Sequence, residues 1–206
     1  MANKTGIFSW TKGSGKTTTC AYLAAALATM HRRVVCVDLN GDLQKYLQLQ
    51  GEAVEVAGLR WKYRKWSGEE DKLEDDADYI LVDIPGEFSP AQQAVLRELD
   101  SVLIPVEAEH YGLEGLPETL QKIAEQEHLL IGGIVLTKAD RHSYVPETIE
   151  AELKEYFSPF VMNTKISRNY YLARPSFSLT DLGEKGWHSG FIDYLKLANE
   201  LLEHEY

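Results

Sequence analysis

The chain has 206 residues, a formal net charge of −11, and 44% hydrophobic and 26% charged residues. A chain of this length buries roughly 70% of its unfolded surface, so it needs neither a disulfide nor a metal to hold its core. The acidic balance excludes a constitutive nucleic-acid binder with a wholly basic surface, though not a local basic patch, and no run approaches the ~18 apolar residues of a membrane span.

Cys20 lies in an apolar helical pattern and Cys36 in an apolar strand pattern, so both read as small buried residues in a reducing compartment. The run from Cys20 to Ala28 imitates a signal-peptide core, but an extended segment and a glycine-rich loop precede it where only a short basic region belongs. The expectation is a soluble, cytoplasmic protein folded as one domain over 1–206.

Lys4 to Trp10 is short, apolar and rich in β-formers, and is the first predicted strand. It runs into Thr11-Lys12-Gly13-Ser14-Gly15-Lys16-Thr17-Thr18-Thr19. Gly13 and Gly15 allow a tight turn with N–H groups pointing inward, and a helix N-terminus follows, which together make a phosphate cradle. Lys16 would reach the β- and γ-phosphates, and the Thr17 hydroxyl would take one position on Mg²⁺. In the usual G-x-x-x-x-G-K-[ST] spacing the first glycine falls at position 10, which here is Trp10, so the loop is a deviant form.

Lys16 to Met30 is a predicted helix, closed by His31-Arg32-Arg33, whose charge suits a helix C-terminus. Val34 to Val37 reads as a strand covered on both faces, ending at Asp38. Strand, loop, helix and strand form a βαβ unit that brings Asp38 out beside the phosphate loop, with Asn40, Gly41 and Asp42 as loop.

Leu43 to Asp78 begins with a short helical or irregular piece. Leu59 to Trp66 then interleaves basic and aromatic residues, which fits either a nucleic-acid surface or an edge strand with a charged outer face. Glu69 to Asp76 is a solvated acidic stretch. Tyr79 to Val82 is a strand ending at Asp83, which would hold a water of the Mg²⁺ shell, and Gly86 lets the next loop approach the γ-phosphate.

Ser89 is the predicted N-cap of a helix from Pro90 to Leu99. A strand from Val102 to Val106, a helix from Leu116 to Glu127 and a strand from Ile131 to Thr137 follow. Thr137-Lys138-Ala139-Asp140 matches a [NT]-K-x-D segment; it is either a base-recognition element or a simple polar loop. A helix from Pro146 to Phe157, a short strand from Phe160 to Asn163 and a loop-rich region from Ser167 to Lys185 lead to a final helix, Phe191 to Tyr206. Its stripe of Phe191, Tyr194, Leu195, Ala198, Leu201 and Leu202 reads as core packing. The fold class is α/β, a mostly parallel twisted sheet with helices on both faces.

With these residues placed, the chain resembles the ParA/MinD family of deviant Walker ATPases over nearly its whole length. The resemblance rests on Gly13 to Thr18, on Val37 to Asn40, on Tyr79 to Gly86, and above all on Asp100 to Glu107 with Tyr111 to Gly115. Ile166-Ser167-Arg168-Asn169 and Pro175-Ser176-Phe177 are similar to the family's I-P-R-N and A-P-S-F segments. The resemblance implies ATP and Mg²⁺, an ATP-dependent sandwich homodimer, nonspecific binding to nucleoid double-stranded DNA, and release on hydrolysis stimulated by a small adaptor that links to a cargo; no membrane is implied. It assigns Lys16, Asp38 and Asp83 to catalysis, with Asp38 positioning water. Thr11, Lys12, Gly13 to Thr18, Thr137, Lys138, Asp140 and Pro175 fall to the nucleotide, and Arg168 with Lys165 to DNA. The family's signature lysine, which crosses to the partner subunit, aligns with Thr11; Lys12 takes its place only in a loop shortened by one residue. Carboxysome-positioning relatives also lack it and use a lysine from the C-terminal half, for which Lys165 and Lys154 are the candidates here. Two alternatives stand beside this reading: a small-molecule synthase on the same scaffold, and a hydrolysis-deficient nucleotide-binding partner.

Overall fold

Two short strands, β1 (Asn3–Ile7) and β5 (Tyr79–Asp83), run in parallel at the centre of a seven-stranded sheet. The other strands are β2 (Val34–Asp38), β3 (Ala53–Val56), β4 (Leu59–Lys65), β6 (Ser101–Glu107) and β7 (Leu130–Thr137), in the order β3-β4-β2-β5-β1-β6-β7. Six are parallel, and only β3 runs antiparallel, at the edge beside β4. The computed structural model describes residues 2–51, 53–56, 59–68, 71–73, 76–87, 89–173 and 187–203. Pro175, and with it the similarity across 175–177, lies outside the described residues.

Alternation along the strands sends side chains to two cores, as a sheet covered on both faces requires. Ile7, Cys36, Leu81, Leu103 and Val135 pack against α1 (Lys16–Thr29), α2 (Asp42–Leu47) and the C-terminal helix, while Phe8, Val37, Val82, Val102 and Ile104 pack on the opposite side. There they meet α3 (Pro90–Leu96), α4 (Leu116–Ala124) and α5 (Val145–Phe157). α6 (Tyr170–Ala173) is a single turn, and α7 (Ser189–Glu203) closes the described chain against α1.

α1 is buried from Thr19 to Ala28. Its five alanines lower the helix profile, so it seats between the sheet, α2 and α7. Gly6 serves close packing in the same way on β1: a Cβ there would lie 2.6 Å from the Leu99 side chain.

β4 resolves the basic-aromatic stretch. Trp61 and Tyr63 are buried in the core while Arg60 and Lys62 alternate with them and are exposed, so these rings are not available to stack on bases. The strand is not at the edge, however, because β3 pairs along it. The predicted strand from Phe160 to Asn163 is a 3₁₀ turn, Ser158–Phe160, followed by a single bridge from Val161 to Ile134. Pro159 lacks an N–H, and Glu200 captures the N–H groups of Asn163 and Thr164, so the ladder ends there.

Candidate functional site

The C-terminal ends of β1, β2, β5 and β7 open onto one cavity of about 930 Å³, walled by the phosphate loop, the turn after β2, residues 85–87 and the segment 166–169. Gly13 (φ +79°) and Gly15 (φ +95°) are both left-handed, and Gly15 immediately precedes α1. A side chain at either would strain the turn that aims the backbone N–H groups at a ligand. The Thr137 hydroxyl donates to the Ser14 carbonyl at 2.7 Å, and a Cβ on Gly86 would lie 2.6 Å from the Trp10 carbonyl oxygen. The loop is therefore held from the β7 side and the β5 side at once.

Lys16 Nζ donates to the Thr11 carbonyl at 2.8 Å across the loop. Burial lowers its pKa, opposed by the charges of Asp83 and Asp42. The Asp83 carboxyl is only 3% exposed and is pushed up to about 7, above all by burial and also by the charge of Asp38, against the opposing pull of Thr17 and Lys16. The Ser14 and Thr11 hydroxyls are buried without a hydrogen-bond partner, and neither residue lines the cavity. Among the described residues no group of three or more His, Cys, Asp or Glu could hold a metal. Thr17 and Asp83 suit a cation that draws its other oxygens from a nucleotide and water.

Asp38 is brought beside Asp83, its register partner across β2 and β5, but the two carboxylates face differently. Asp38 is fully buried and accepts from Gly41 N (2.8 Å), Asn40 N (3.3 Å), Gln44 N (2.9 Å) and Tyr63 Oη (3.2 Å). Both oxygens face the start of α2, and Asp38 does not line the cavity. The water-positioning role read for it in the sequence has no free acceptor there; its visible work is to fix the turn that carries Asn40 and Asp42, both of which do line the cavity.

The [NT]-K-x-D segment braces the loop. Beyond the Thr137 bond to Ser14, Lys138 adopts a left-handed φ of +54°, places Nζ 3.9 Å from where a Gly13 Cβ would stand, and donates to Glu107 at 2.8 Å. Burial raises the Glu107 carboxyl, but hydrogen bonds from Lys138 and Tyr111 outweigh that and hold it below the usual range. Asp140 is exposed, accepts from His142 N and is not part of the cavity wall, so the polar-loop reading describes it better than base recognition.

Arg168 lines the cavity mouth, 3.6 Å from Glu107 and 3.5 Å from Glu109. Lys165 and Lys154 both converge on Glu150, away from the cavity wall, so neither reaches the phosphate loop within this chain. Thr11 is turned inward, since a Cβ on Gly115 would lie 2.3 Å from its hydroxyl, whereas Lys12 points out at the cavity rim in an exposed pair with Glu87 at 2.9 Å. Asn40, Asp42, Tyr46, Ile166, Leu172 and Tyr194 also line the wall, none of them given a site role in the sequence. Asn40 and Ile166 fall in the segments that carry the family resemblance, and Asp42 is an acid four residues beyond a strand end.

Residues 7–177 match the family model described as the CobQ/CobB/MinD/ParA nucleotide binding domain. The chromosome-partitioning ATPase Soj of Thermus thermophilus is 30% identical, over 98% of this chain and 94% of that protein. The structure of a Cyanothece McdA variant in complex with ATP superposes with a TM-score of 0.77 at 18% identity, covering 98% of this chain and 96% of the other. Cobyrinic acid a,c-diamide synthase of Mycobacterium smegmatis, bound to an ATP analogue and magnesium, gives 0.75 at 20% identity over 100% and 96%. These two likenesses carry the fold and not the reaction.

Proposed function

Because the chain belongs to the CobQ/CobB/MinD/ParA nucleotide-binding family, we propose that it is a Mg²⁺-dependent ATPase whose nucleotide state governs dimerisation and DNA binding, and so the distribution of a cargo. The observation that carries this is the preformed cradle: two left-handed glycines, Lys16 parked on a carbonyl, and the buried Asp83 carboxyl beside Thr17.

Lys16 exchanges the Thr11 carbonyl for the β- and γ-phosphates, a stronger charge-assisted partner. The N–H groups of Gly13 to Thr18 bind the remaining phosphate oxygens. Thr17, and Asp83 through water, would hold Mg²⁺, which would supply charge neutralisation when bound. Asp38 is a positioning residue for the turn after β2. Catalysis then comes from orientation and electrostatics, with no covalent intermediate on the protein.

A sandwich homodimer would bring two cavity mouths together, with Lys12 on the rim of each. Arg168, half exposed beside Glu107 and Glu109, and Lys165 are the proposed DNA contacts. One weak basic patch on an acidic protomer binds DNA poorly, while two patches fixed in one dimer gain effective concentration, so nucleotide acts as the switch. A small adaptor would stimulate hydrolysis and link the dimer to its cargo, and the protein would be cytoplasmic and nucleoid-associated in ATP. Among the described residues no helix is long and apolar enough to cross a membrane. Retention on double-stranded DNA in ATP but not in ADP is expected; equal retention would refute the switch.

A second reading is supported by the size of the cavity, which runs past the phosphate loop to Ile166, Leu172 and Tyr194 and leaves room beside a triphosphate. On that reading the protein phosphorylates a small carboxylic acid. ATP turnover that depends on such an acid would favour it.

A further inference from the structure

Among the described residues, five carboxylates stand at or near the phosphate loop: Asp38, Asp83, Glu87, Glu107 and Asp42. Four are engaged, Glu107 by Lys138 and Tyr111. Asp38 is sealed by three backbone N–H groups and the Tyr63 hydroxyl. Asp83 is buried against Thr17. Glu87 is bound to Lys12.

Asp42 is placed differently. It is the first residue of α2, directly after Gly41, whose left-handed φ of +83° turns the chain back toward the phosphate loop. Its carboxylate lines the cavity with Lys16 and Asp83, and its charge acts on both of them. Its one close side-chain donor is Asn40 Nδ2, at 2.7 Å from Oδ2, and the exchange is mutual because Asp42 N donates to Asn40 Oδ1 at 3.1 Å. The second contact, Lys45 Nζ at 3.6 Å from Oδ1, is a half-exposed pair of the kind that contributes little. An ionised carboxylate has about four acceptor positions, so Asp42, a residue of the cavity wall with a side chain 52% exposed, keeps acceptor capacity beyond its bond with Asn40.

We propose that Asp42 is the catalytic carboxylate that accepts a hydrogen bond from the attacking water, that Asn40 is its positioning residue, and that Asp38 builds the turn behind them. This rests on the ATPase reading above. The water oxygen forms a bond to the γ-phosphorus as the bond from that phosphorus to the β–γ bridging oxygen breaks, and that oxygen leaves with ADP. One water proton passes to Asp42 and from there to solvent, and the other stays on the released phosphate.

The test uses the full chain with Mg²⁺ and compares equilibrium binding of a fluorescent ATP analogue with phosphate release from ATP in a single turnover. Asp42→Asn is expected to lower the hydrolysis rate by about 100-fold or more while the dissociation constant stays within about threefold, the split that marks a group acting on the reaction and not on binding. Glu125→Gln, an exposed change outside the cavity wall, should hydrolyse as the wild type does, and Glu87→Gln tests the competing carboxylate at the rim. If Asp42→Asn fails to fold, as read by its thermal midpoint, Asp42→Glu keeps the charge, moves it by one methylene, and should still lose about tenfold or more in rate. Wild-type-like hydrolysis by these Asp42 variants, or loss in Glu87→Gln alone, overturns the assignment and leaves the ATPase reading standing. A wild-type chain that binds no ATP, or binds it and releases no phosphate, overturns both.

Discussion

Lys16 donates to Thr11 at 2.8 Å, a bond within the loop itself, and the buried hydroxyls of Thr11 and Ser14 are unpartnered beside it. A charge-assisted hydrogen bond contributes about 1.5–3 kcal/mol, so losing the ammonium from two phosphates should weaken ATP binding by at least about 100-fold. Lys16→Ala is therefore expected to abolish saturable binding at micromolar ATP, measured by titration calorimetry. Thr137 makes a different prediction. Thr137→Val keeps shape but removes the donor to Ser14, which should cost about 1–3 kcal/mol and weaken nucleotide binding in parallel, read from denaturant midpoints and the same titration. A variant that lost stability yet bound ATP normally would place the brace outside the binding function. The glycine turn and Lys16 at the head of α1 are legible in the sequence, because both follow from spacing after a strand. The hydrogen bonds that seal Asp38, and those that turn Thr137 and Lys138 into braces, depend on which strand ends the topology brings together, and no local pattern encodes that.

At the scale of elements, α7 does more than fill the core. Asp193 and Glu200 are buried on it, and each pins a loop. Asp193 accepts from the Ser167 backbone and hydroxyl and from Arg141, which holds the segment that carries Arg168 at the cavity mouth. Glu200 accepts from Asn163 N and Thr164 N. Burial raises its carboxyl, but these bonds outweigh burial and leave it below the usual 4.5. The sign follows: the folded state prefers ionised Glu200 more than the unfolded chain does, so its stabilisation is present above about pH 4.5 and is lost as pH falls through the folded value. Glu200→Gln should thus flatten the acid limb of the stability curve while lowering stability at neutral pH, measured by thermal melts between pH 3 and 7 as an order-of-magnitude window. An unchanged acid limb would assign that dependence to other carboxylates. The apolar stripe of this helix was readable from its period, yet the buried acids were not: period three to four predicts which face is covered, not that charged residues on that face will find backbone donors. Likewise Leu59 to Lys65 revealed its alternation but not its place, because the short β3 that covers it carries little pattern of its own.

For the whole molecule, the net charge of −11 sets the terms of any DNA contact. Retention that needs two protomers should vanish steeply with salt, with a log–log slope steeper than about −2, and Arg168→Glu should abolish it, with dimerisation in ATP followed separately because Arg168 lies at the cavity mouth. Light scattering in ATP and ADP would follow the dimer, and filter retention the DNA. A slope near zero would refute an electrostatic patch. The layered sheet, its parallel sense and the site at the C-terminal strand ends were all expected from strand, loop and helix order, since a parallel sheet admits few connections.

The sheet edge at β7 has one more consequence. Its outward carbonyls at Ile134 and Leu136 already accept from Met162 N and Ile166 N, and the irregular segment supplying those donors is itself anchored by the buried acids of α7. An edge closed in this way offers no template for a neighbouring strand. Main-chain pairing with a neighbouring strand is thereby blocked along the Ile134–Leu136 half of that flank, and two copies that meet there must recognise each other through side chains.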